Sequence, residues 1–307
     1  AANSLISRNA QRIEKSLIPT LPHGPRVACH WAKDSAAEAE WIVTKIAELR
    51  SGRTALRDIC ILYRAHYVTR ELEEALLTAE IPYTIYSGAQ FFSRAEVKDA
   101  LCYLRMAAYQ DDLSFLRIAN VPKRNLGERR MKFLKDCAAE NGCTLYQALK
   151  RTVDDPIFRG TKARQFISLI ELYSSGSSGR QISELLSALL SDSGYEEMLR
   201  TEGSQSRLDN LAELKQSIHE YEISCGEEST LEHYLAHVAL FTNSDMAASG
   251  DKVKLMTVHA AKGLEFPYVF LCAMNEGVFP SRKVRTLPGM EEERRLAYVA
   301  MTRAQRA

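Results

Sequence analysis

DICILYRAHYVTRELEEALLTAEIPYTIYS, residues 58–87, is the stretch that decides the fold. It begins with an apolar, strand-like run at 58–63, continues with a helical pattern at 67–80 and returns to a strand pattern at 81–87. A buried strand, a helix and a second strand in this order are typical of a βαβ unit on a parallel sheet. The stretch therefore predicts an α/β domain.

Similar patterns occur towards both ends of the chain. Strand patterns lie at 26–33, 253–259 and 268–274, each made of a short apolar run. Helical patterns lie at 35–50 and at about 290–303. We therefore expect segments from both ends of the chain to complete one parallel sheet.

The middle of the chain is helical in pattern. Helical periodicity covers 94–108, 112–119, 127–140, 144–151, 160–175, 180–199, 206–224 and 229–240. The simplest topology inserts a helical domain, 93–247, into an α/β domain made of 1–92 and 248–307. Three consecutive domains would leave the last strands with too small a core.

Composition narrows the class of protein. The 307 residues are 46% hydrophobic and 26% charged, which is typical of a soluble globular protein of about two domains. The sequence has neither an apolar run of about 18 residues nor a signal-peptide pattern, so we expect a cytoplasmic protein without a membrane partner. The net charge is only +1, so nucleic-acid binding would depend on local patches.

Cysteine and histidine spacing predicts no metal site. The seven cysteines are odd in number and contain no C-x-x-C pair, which argues against a disulfide framework or a zinc site. His233 and His237 have a helical i, i+4 spacing but lack the glutamate of a catalytic H-E-x-x-H motif. We interpret these two histidines as residues of a helix face or core.

LMTVHAAKGLEFPYVF, residues 255–270, has polar side chains where a predicted strand ends. Open α/β sheets bind ligands at the carboxyl ends of their strands. Thr257, His259 and Lys262 offer donors to phosphate oxygens, and Glu265 offers an acceptor for a sugar hydroxyl. A solvated polar turn is an equally good interpretation from the spacing alone.

EEERRLAYVAMTRA, residues 291–304, places acidic residues before an apolar helical stripe. Acidic residues suit a helix N-terminus, and Arg294 and Arg295 could pair with them. Arg303 lies at the far end of the stripe, where a helix can present a guanidinium to a phosphate.

These two clusters resemble motifs V and VI of superfamily-one DNA helicases of the UvrD/PcrA/Rep group. Residues 61–108, 120–134 and 205–214 are similar to segments of the same proteins, in the same order. The resemblance implies a RecA-like motor domain, 2A, interrupted by a helical domain, 2B. It also implies an ATP-dependent DNA-repair helicase that moves 3′ to 5′ on single-stranded DNA and unwinds duplex DNA.

The resemblance implies contacts with single-stranded DNA. The implied residues are Thr257, His259, Lys262, Tyr63, Arg64 and His66. His66 stands where the family often has asparagine, although its ring is suited to stacking on a base.

On the nucleotide side, the resemblance implies that Glu265 bonds the ribose of ATP, with Gly263 in the turn before it. It implies that Arg303 reaches the γ-phosphate. The phosphate-cradle pattern G-x-x-x-x-G-K-[ST] does not occur in this sequence. We therefore expect ATP and Mg²⁺ to be held mainly by an N-terminal RecA-like domain of the same protein, and this chain alone to be inactive.

The most basic stretch of the chain surrounds a turn in the helical domain. Its cations are Lys123, Arg124, Arg129, Arg130, Lys132 and Lys135. The family reads K-R-G-I-G at this turn and meets duplex DNA there, which implies contacts from Lys123, Arg124, Asn125 and Gly127. A solvated helix face is the plain alternative. Gln90 replaces a family lysine and loses that charge.

Two other functions remain open. One is a non-catalytic DNA-binding or protein-docking module that retains the motor motifs as structure, and repair proteins are conceivable partners of 2B in either case. The other is the helicase part of a RecB- or AddA-like helicase–nuclease, which shares V-A-x-T-R-A.

Overall fold

The computed structural model describes residues 1–10, 18, 24–86, 88–174, 180–226, 229–242 and 250–306. The chain divides into two compact units, Ala1–Phe91 with Ser244–Ala307, and Phe92–Asn243. The helices are α1 (Ala2–Ile6), α2 (Ser35–Ser51), α3 (Arg70–Thr78), α4 (Ala95–Ala108), α5 (Asp112–Ile118), α6 (Glu128–Asn141), α7 (Leu145–Thr152), α8 (Ala163–Ser174), α9 (Ile182–Asp192), α10 (Tyr195–Thr201), α11 (Gln205–Cys225), α12 (Leu231–Thr242) and α13 (Leu287–Met301). The strands are β1 (Ile59–Tyr63), β2 (Tyr83–Ile85), β3 (Val253–Thr257) and β4 (Tyr268–Leu271).

The first unit is built on a parallel sheet in the order β2-β3-β1-β4. All residues of β1 are buried, as expected for an inner strand covered on both faces. The strands from the end of the chain lie on either side of β1. The predicted α/β class with a parallel sheet is therefore confirmed.

Alternating side chains of β1 supply two separate hydrophobic layers. Ile59, Ile61 and Tyr63 belong to a core cluster that also contains residues of α2 and α3. Cys60 and Leu62 belong to a second cluster that contains residues of α13. Because successive strand side chains point to opposite faces, one apolar strand serves both layers.

The prediction of a strand at 26–33 is wrong. This segment forms no strand, and Val27 and Trp31 have 75% and 94% of their surface exposed. An apolar, β-prone sequence becomes a strand only when a neighbouring backbone accepts its hydrogen bonds. Among the described residues, β4 pairs with β1 alone.

The regular secondary structure in the described residues of the second unit is entirely helical. The single helix predicted at 180–199 is instead two, α9 and α10, because Gly194 adopts a left-handed φ of 76° between them. Asp99 of the buried helix α4 accepts hydrogen bonds from Arg117 (2.6 Å) and Tyr195 (2.7 Å). Burial and the Asp99 carboxylate raise the pKa of Tyr195, so its hydroxyl remains a donor.

A search of the described residues finds no helix with the length and apolar character needed to cross a membrane.

Candidate functional site

The candidate site of the first unit begins where β1 and β3 end side by side. Tyr63 pairs with Thr257 in the parallel register, so the two strands reach their carboxyl ends at the same level. The amide of Val258 then donates to the carbonyl of Tyr63 at 2.9 Å. Arg64 and the turn after Thr257 therefore leave the same edge of the sheet.

The turn after β3 is held by its own polar groups. The Thr257 hydroxyl accepts the Ala260 amide at 3.2 Å, and the Thr257 carbonyl accepts the Ala261 amide at 3.1 Å. Gly263 has a φ of 85°, a conformation that other residues adopt only at a cost. The turn leaves His259 and Lys262 exposed, whereas Thr257 is half-buried.

Backbone hydrogen bonds join this turn to the end of α13. The Phe266 amide donates to the Arg303 carbonyl at 2.9 Å, and the Gln305 amide donates to the Phe266 carbonyl at 2.8 Å. The buried ring of Phe266 anchors the junction in the core. Two clusters almost forty residues apart are thereby brought into one structure.

At this junction the Arg303 guanidinium bonds the residue that precedes Glu265 in the chain. Arg303 donates from Nη1 to the Leu264 carbonyl at 2.7 Å, from Nε to the Val299 carbonyl at 3.1 Å and from Nη2 to Thr302. A guanidinium has five N–H groups, so two remain for an anion. Glu265 is exposed, and its Oε2 accepts from Gln305 at 3.3 Å.

Arg64 forms an ion pair that the sequence does not reveal. Its Nε donates to both carboxylate oxygens of Glu293 at 3.0 and 3.2 Å, and its Nη2 donates to Oε1 at 2.9 Å. The Glu293 side chain is 5% exposed and that of Arg64 is 25% exposed. Arg64, a predicted site residue, thus lies at the sheet edge and is paired with the buried carboxylate of Glu293.

Tyr63, which the resemblance implies as a DNA contact, is the last residue of β1. Its side chain is fully buried in the core beside the sheet. Its hydroxyl lies 3.2 Å from Nδ1 of His66, and the two rings meet edge to face at 5.5 Å. His66 is only partly buried, and a β-carbon placed on Gly88 would lie 2.6 Å from its ring, so the ring is wedged between Tyr63 and this backbone.

The basic turn of the second unit is organised by side chains around it. The Asn120 side-chain oxygen accepts the amides of Arg124 and Leu126 at 2.9 and 3.0 Å. Arg130 donates to the carbonyl of Asn125 at 2.8 Å and to that of Ile157 at 2.6 Å. These bonds hold the turn from both sides.

Arg124, which the resemblance implies as a DNA contact, is buried and bonds backbone carbonyls around this turn. It is 5% exposed. Its guanidinium donates to the carbonyls of Ile118 (2.8 Å), Pro122 (3.3 Å), Ala119 (3.4 Å) and Ser193 (3.5 Å) and to the Tyr103 hydroxyl (2.9 Å), and it lies 4.8 Å from the centre of the Phe166 ring. Both terminal nitrogens of the guanidinium are therefore engaged inside the helical unit.

The remaining predicted residues of the turn are accessible. Lys123, Asn125 and Gly127 are exposed. Asn125 has a left-handed φ of 61° and donates to the Gly160 carbonyl at 3.1 Å, so it keeps the turn conformation that glycine would otherwise supply. Gly127 has an ordinary extended φ of −77° and precedes α6.

The cations of this stretch fall into two groups. Arg124 and Arg130 bond the backbone of the turn. The exposed cations are Lys123, Arg129, Lys132 and Lys135, none of which forms an ion pair with a described residue. Only the second group presents unneutralised charge to solvent.

The two histidines of α12 are engaged with an aromatic cluster. His233 lies 2.7 Å from the Tyr221 hydroxyl, and the ring of His237 lies 5.3 Å from that of Tyr221. Burial lowers the pKa of His237. Within the described part of the chain, no three histidine, cysteine or acidic side chains are grouped to hold a metal ion.

Sequence reasoning missed Glu293 and Asn120. Glu293 is one of three consecutive glutamates, and the sequence predicts only that such residues suit a helix N-terminus. Asn120 lies just before the basic turn, where a side-chain cap of the backbone is a recognisable but unspecific signal.

Comparison with known proteins places the whole chain in one family. A family model described as the UvrD-like helicase C-terminal domain matches residues 1–307. The chain is 39% identical to the ATP-dependent DNA helicase PcrA of Bacillus subtilis (strain 168), covering 99% of this chain and 43% of that protein. It is 37% identical to DNA helicase II of Escherichia coli (strain K12), covering 99% of this chain and 44% of that protein. The chain thus spans less than half the length of these relatives, and it belongs to the UvrD-like helicase C-terminal domain family.

Proposed function

We propose that this chain is the C-terminal part of an ATP-dependent DNA helicase that moves 3′ to 5′ along single-stranded DNA and unwinds duplex DNA. We assign 1–92 and 248–307 to a RecA-like 2A domain and 93–247 to a helical 2B domain. Membership of the family and the names of the relatives support this assignment.

The observation that carries the proposal is the junction between the turn after β3 and the end of α13. Backbone bonds at Phe266 tie the chain near Glu265 to Arg303, while the same turn exposes His259 and Lys262. One hydrogen-bonded turn therefore carries two sets of polar groups. Such a turn can transmit a change at a nucleotide to residues that contact DNA.

The donors and acceptors at this junction fit a nucleoside triphosphate. Glu265 would accept a ribose hydroxyl, and the two unused N–H groups of Arg303 would stabilise charge on the γ-phosphoryl oxygens. Bound ATP supplies the phosphoryl group whose transfer to water drives movement. An N-terminal RecA-like domain of the same protein would hold the remaining phosphates and Mg²⁺.

The test joins this chain to the upstream RecA-like domain and measures DNA-stimulated ATP hydrolysis. We expect Arg303→Ala to lower kcat by about a thousandfold or more while nucleotide still binds, because an arginine at the γ-phosphate acts mainly on the transition state. Arg306→Ala is the matched control, since Arg306 is exposed three residues further along. Unchanged turnover in Arg303→Ala, or equal losses in both variants, would refute the role of Arg303.

For DNA, we propose that Thr257, His259 and Lys262 contact the single strand and that the exposed part of the basic turn contacts the duplex. Four exposed cations that each release a counterion on binding predict a slope of about −3 to −4 for log K against log salt concentration. Replacing Lys123 and Lys132 by alanine should make this slope shallower by about 2.

A titration of forked and single-stranded DNA at two salt concentrations tests this contact. Lys98→Ala is the control, because Lys98 is an exposed lysine on α4, outside the basic stretch. If the double variant and the control bind forked DNA with equal affinity and equal salt dependence, the basic turn does not contact the duplex.

The exposed cations also favour a second candidate, a DNA-binding module without catalysis. This candidate predicts salt-dependent DNA binding by the chain together with no DNA-stimulated ATP hydrolysis in the joined protein. The helicase proposal predicts both activities, so the two experiments above separate the candidates.

A further inference from the structure

The ion pair between Arg64 and Glu293 has a geometry that fixes one side chain and presents it to solvent. Arg64 is the first residue after β1, at the edge of the sheet where Thr257 ends β3. Its Nε and Nη2 donate to Glu293 at 2.9–3.2 Å. Its Nη1 has no partner among the described residues, and a quarter of the side chain is exposed.

Glu293 is itself held from a second direction. The Ser281 amide donates to its Oε2 at 3.2 Å, and the carboxylate is almost fully buried. A buried carboxylate is unfavourable unless donors surround it. Glu293 therefore has a fixed position and a strong preference for a guanidinium at its open side.

We infer that Glu293 is a positioning residue that aims the free Nη1 edge of Arg64 at a phosphate oxygen. The inference rests on the proposed function and deepens it, because it adds Arg64 to the proposed phosphate contacts at the sheet edge where Thr257 ends β3. An unpaired arginine side chain loses much rotamer freedom when it binds an anion, and a fixed one loses less. The negative charge of Glu293 also offsets the positive charge of Arg64 and weakens its long-range attraction for anions. Binding of a phosphate then depends on how well its oxygen fits the Nη1 edge.

A phosphate oxygen at this edge could come from the DNA backbone or from the nucleotide. The sequence resemblance implies the DNA backbone for Arg64. Both sources present the same anionic oxygen to the Nη1 edge. The DNA concentration for half-maximal ATP hydrolysis and the KM for ATP separate the two sources.

The experiment is a double-variant cycle in the intact protein that contains this chain. Glu293→Ala should raise one of these two constants by about tenfold, which corresponds to a coupling of ordinary size for side chains in contact. In an Arg64→Ala background, Glu293→Ala should raise that constant by less than about twofold. Glu293→Gln should be intermediate, because it keeps one carbonyl acceptor for Arg64 or Ser281.

Glu292→Gln is the matched control. Glu292 lies on the same turn of α13, is 61% exposed and pairs with Arg295. Its constants should equal those of the wild-type protein. Equal effects of Glu293→Ala with and without Arg64, or no effect in either, would overturn the inference.

A second measurement does not depend on catalysis. Phenylglyoxal modifies accessible guanidinium groups, and peptide mapping of the intact protein gives the rate for each arginine. We expect Arg64 to react several times faster in Glu293→Gln, whereas the exposed Arg57 should react at an unchanged rate. An unchanged Arg64 rate overturns the positioning role. If the wild-type protein showed no ATP hydrolysis, while Arg64 still reacted faster with phenylglyoxal in Glu293→Gln, the proposed function would be rejected and the positioning role would stand.

Discussion

Replacing the buried Arg124 should destabilise the helical unit while leaving the four exposed cations of the basic stretch in place. Arg124 is buried, and its guanidinium satisfies four carbonyls and the Tyr103 hydroxyl. Burial raises the pKa of Tyr103, so this hydroxyl stays protonated and donates in turn to the Val121 carbonyl at 2.7 Å. Removing the guanidinium would take one donor away from each of these buried oxygens.

The magnitude follows from the two short hydrogen bonds. The bonds to Ile118 (2.8 Å) and Tyr103 (2.9 Å) are charge-assisted and each contributes about 1.5–3 kcal/mol. We count nothing for the three longer bonds. Arg124→Ala should therefore lower the free energy of unfolding by about 4 kcal/mol, or about 8–16 °C in Tm for a unit of this size. Arg124→Lys should lose about half as much, because one ammonium can reach one of the two strong acceptors.

Thermal and urea unfolding followed by far-ultraviolet circular dichroism measures this loss. Tryptophan fluorescence gives an internal comparison, because both tryptophans, Trp31 and Trp41, lie in the first unit. Arg129→Ala is the control, since Arg129 is an exposed cation of the same stretch. An Arg124→Ala protein as stable as Arg129→Ala would show that the buried hydrogen bonds do not stabilise the turn.

Further predictions concern the first unit. Gly88→Ala should push the His66 ring away from the Tyr63 hydroxyl and lower stability by about 1 kcal/mol, because the new methyl would lie 2.6 Å from the ring; an unchanged His66 imidazole NMR signal would contradict this. Ala273→Gly should raise the free energy of unfolding in urea by about 1 kcal/mol, since Ala273 has a left-handed φ of 56°; equal or lower stability would show that this conformation is not strained. Alkylation mapped by mass spectrometry should label the exposed Cys29 first. Burial raises the pKa of Cys60 to about 12, so its thiolate should stay scarce, and its labelling slow, up to about pH 10; rapid labelling of Cys60 in the folded protein would refute its burial.

Local periodicity in the sequence was sufficient for most elements. The apolar run of β1, its position between helical patterns and the long helical middle of the chain all correspond to what the structure contains. The same reasoning failed at 26–33, where strand-like residues have no backbone partner among the described residues. It also failed at Gly194, where one residue with a left-handed φ interrupts a continuous helical pattern.

The candidate site was predictable only in part, because residue type does not specify burial. Thr257, His259 and Lys262 lie in a turn at a strand end, as their sequence position indicates. Tyr63 and Arg124 carry equally suitable side chains, yet both are buried. A tyrosine in an apolar run and an arginine beside lysines give no local signal of which neighbours will cover them.

The sequence by itself determined the class of fold, the family and the two clusters that carry the candidate chemistry, since each depends on patterns within a few dozen residues. Only the tertiary structure decided which cations are free. Arg64 and Glu293 are 229 residues apart, and their pairing depends on β1 and α13 packing in the same unit. Burial and pairing of a polar side chain are set by atoms from distant segments, which no local pattern contains.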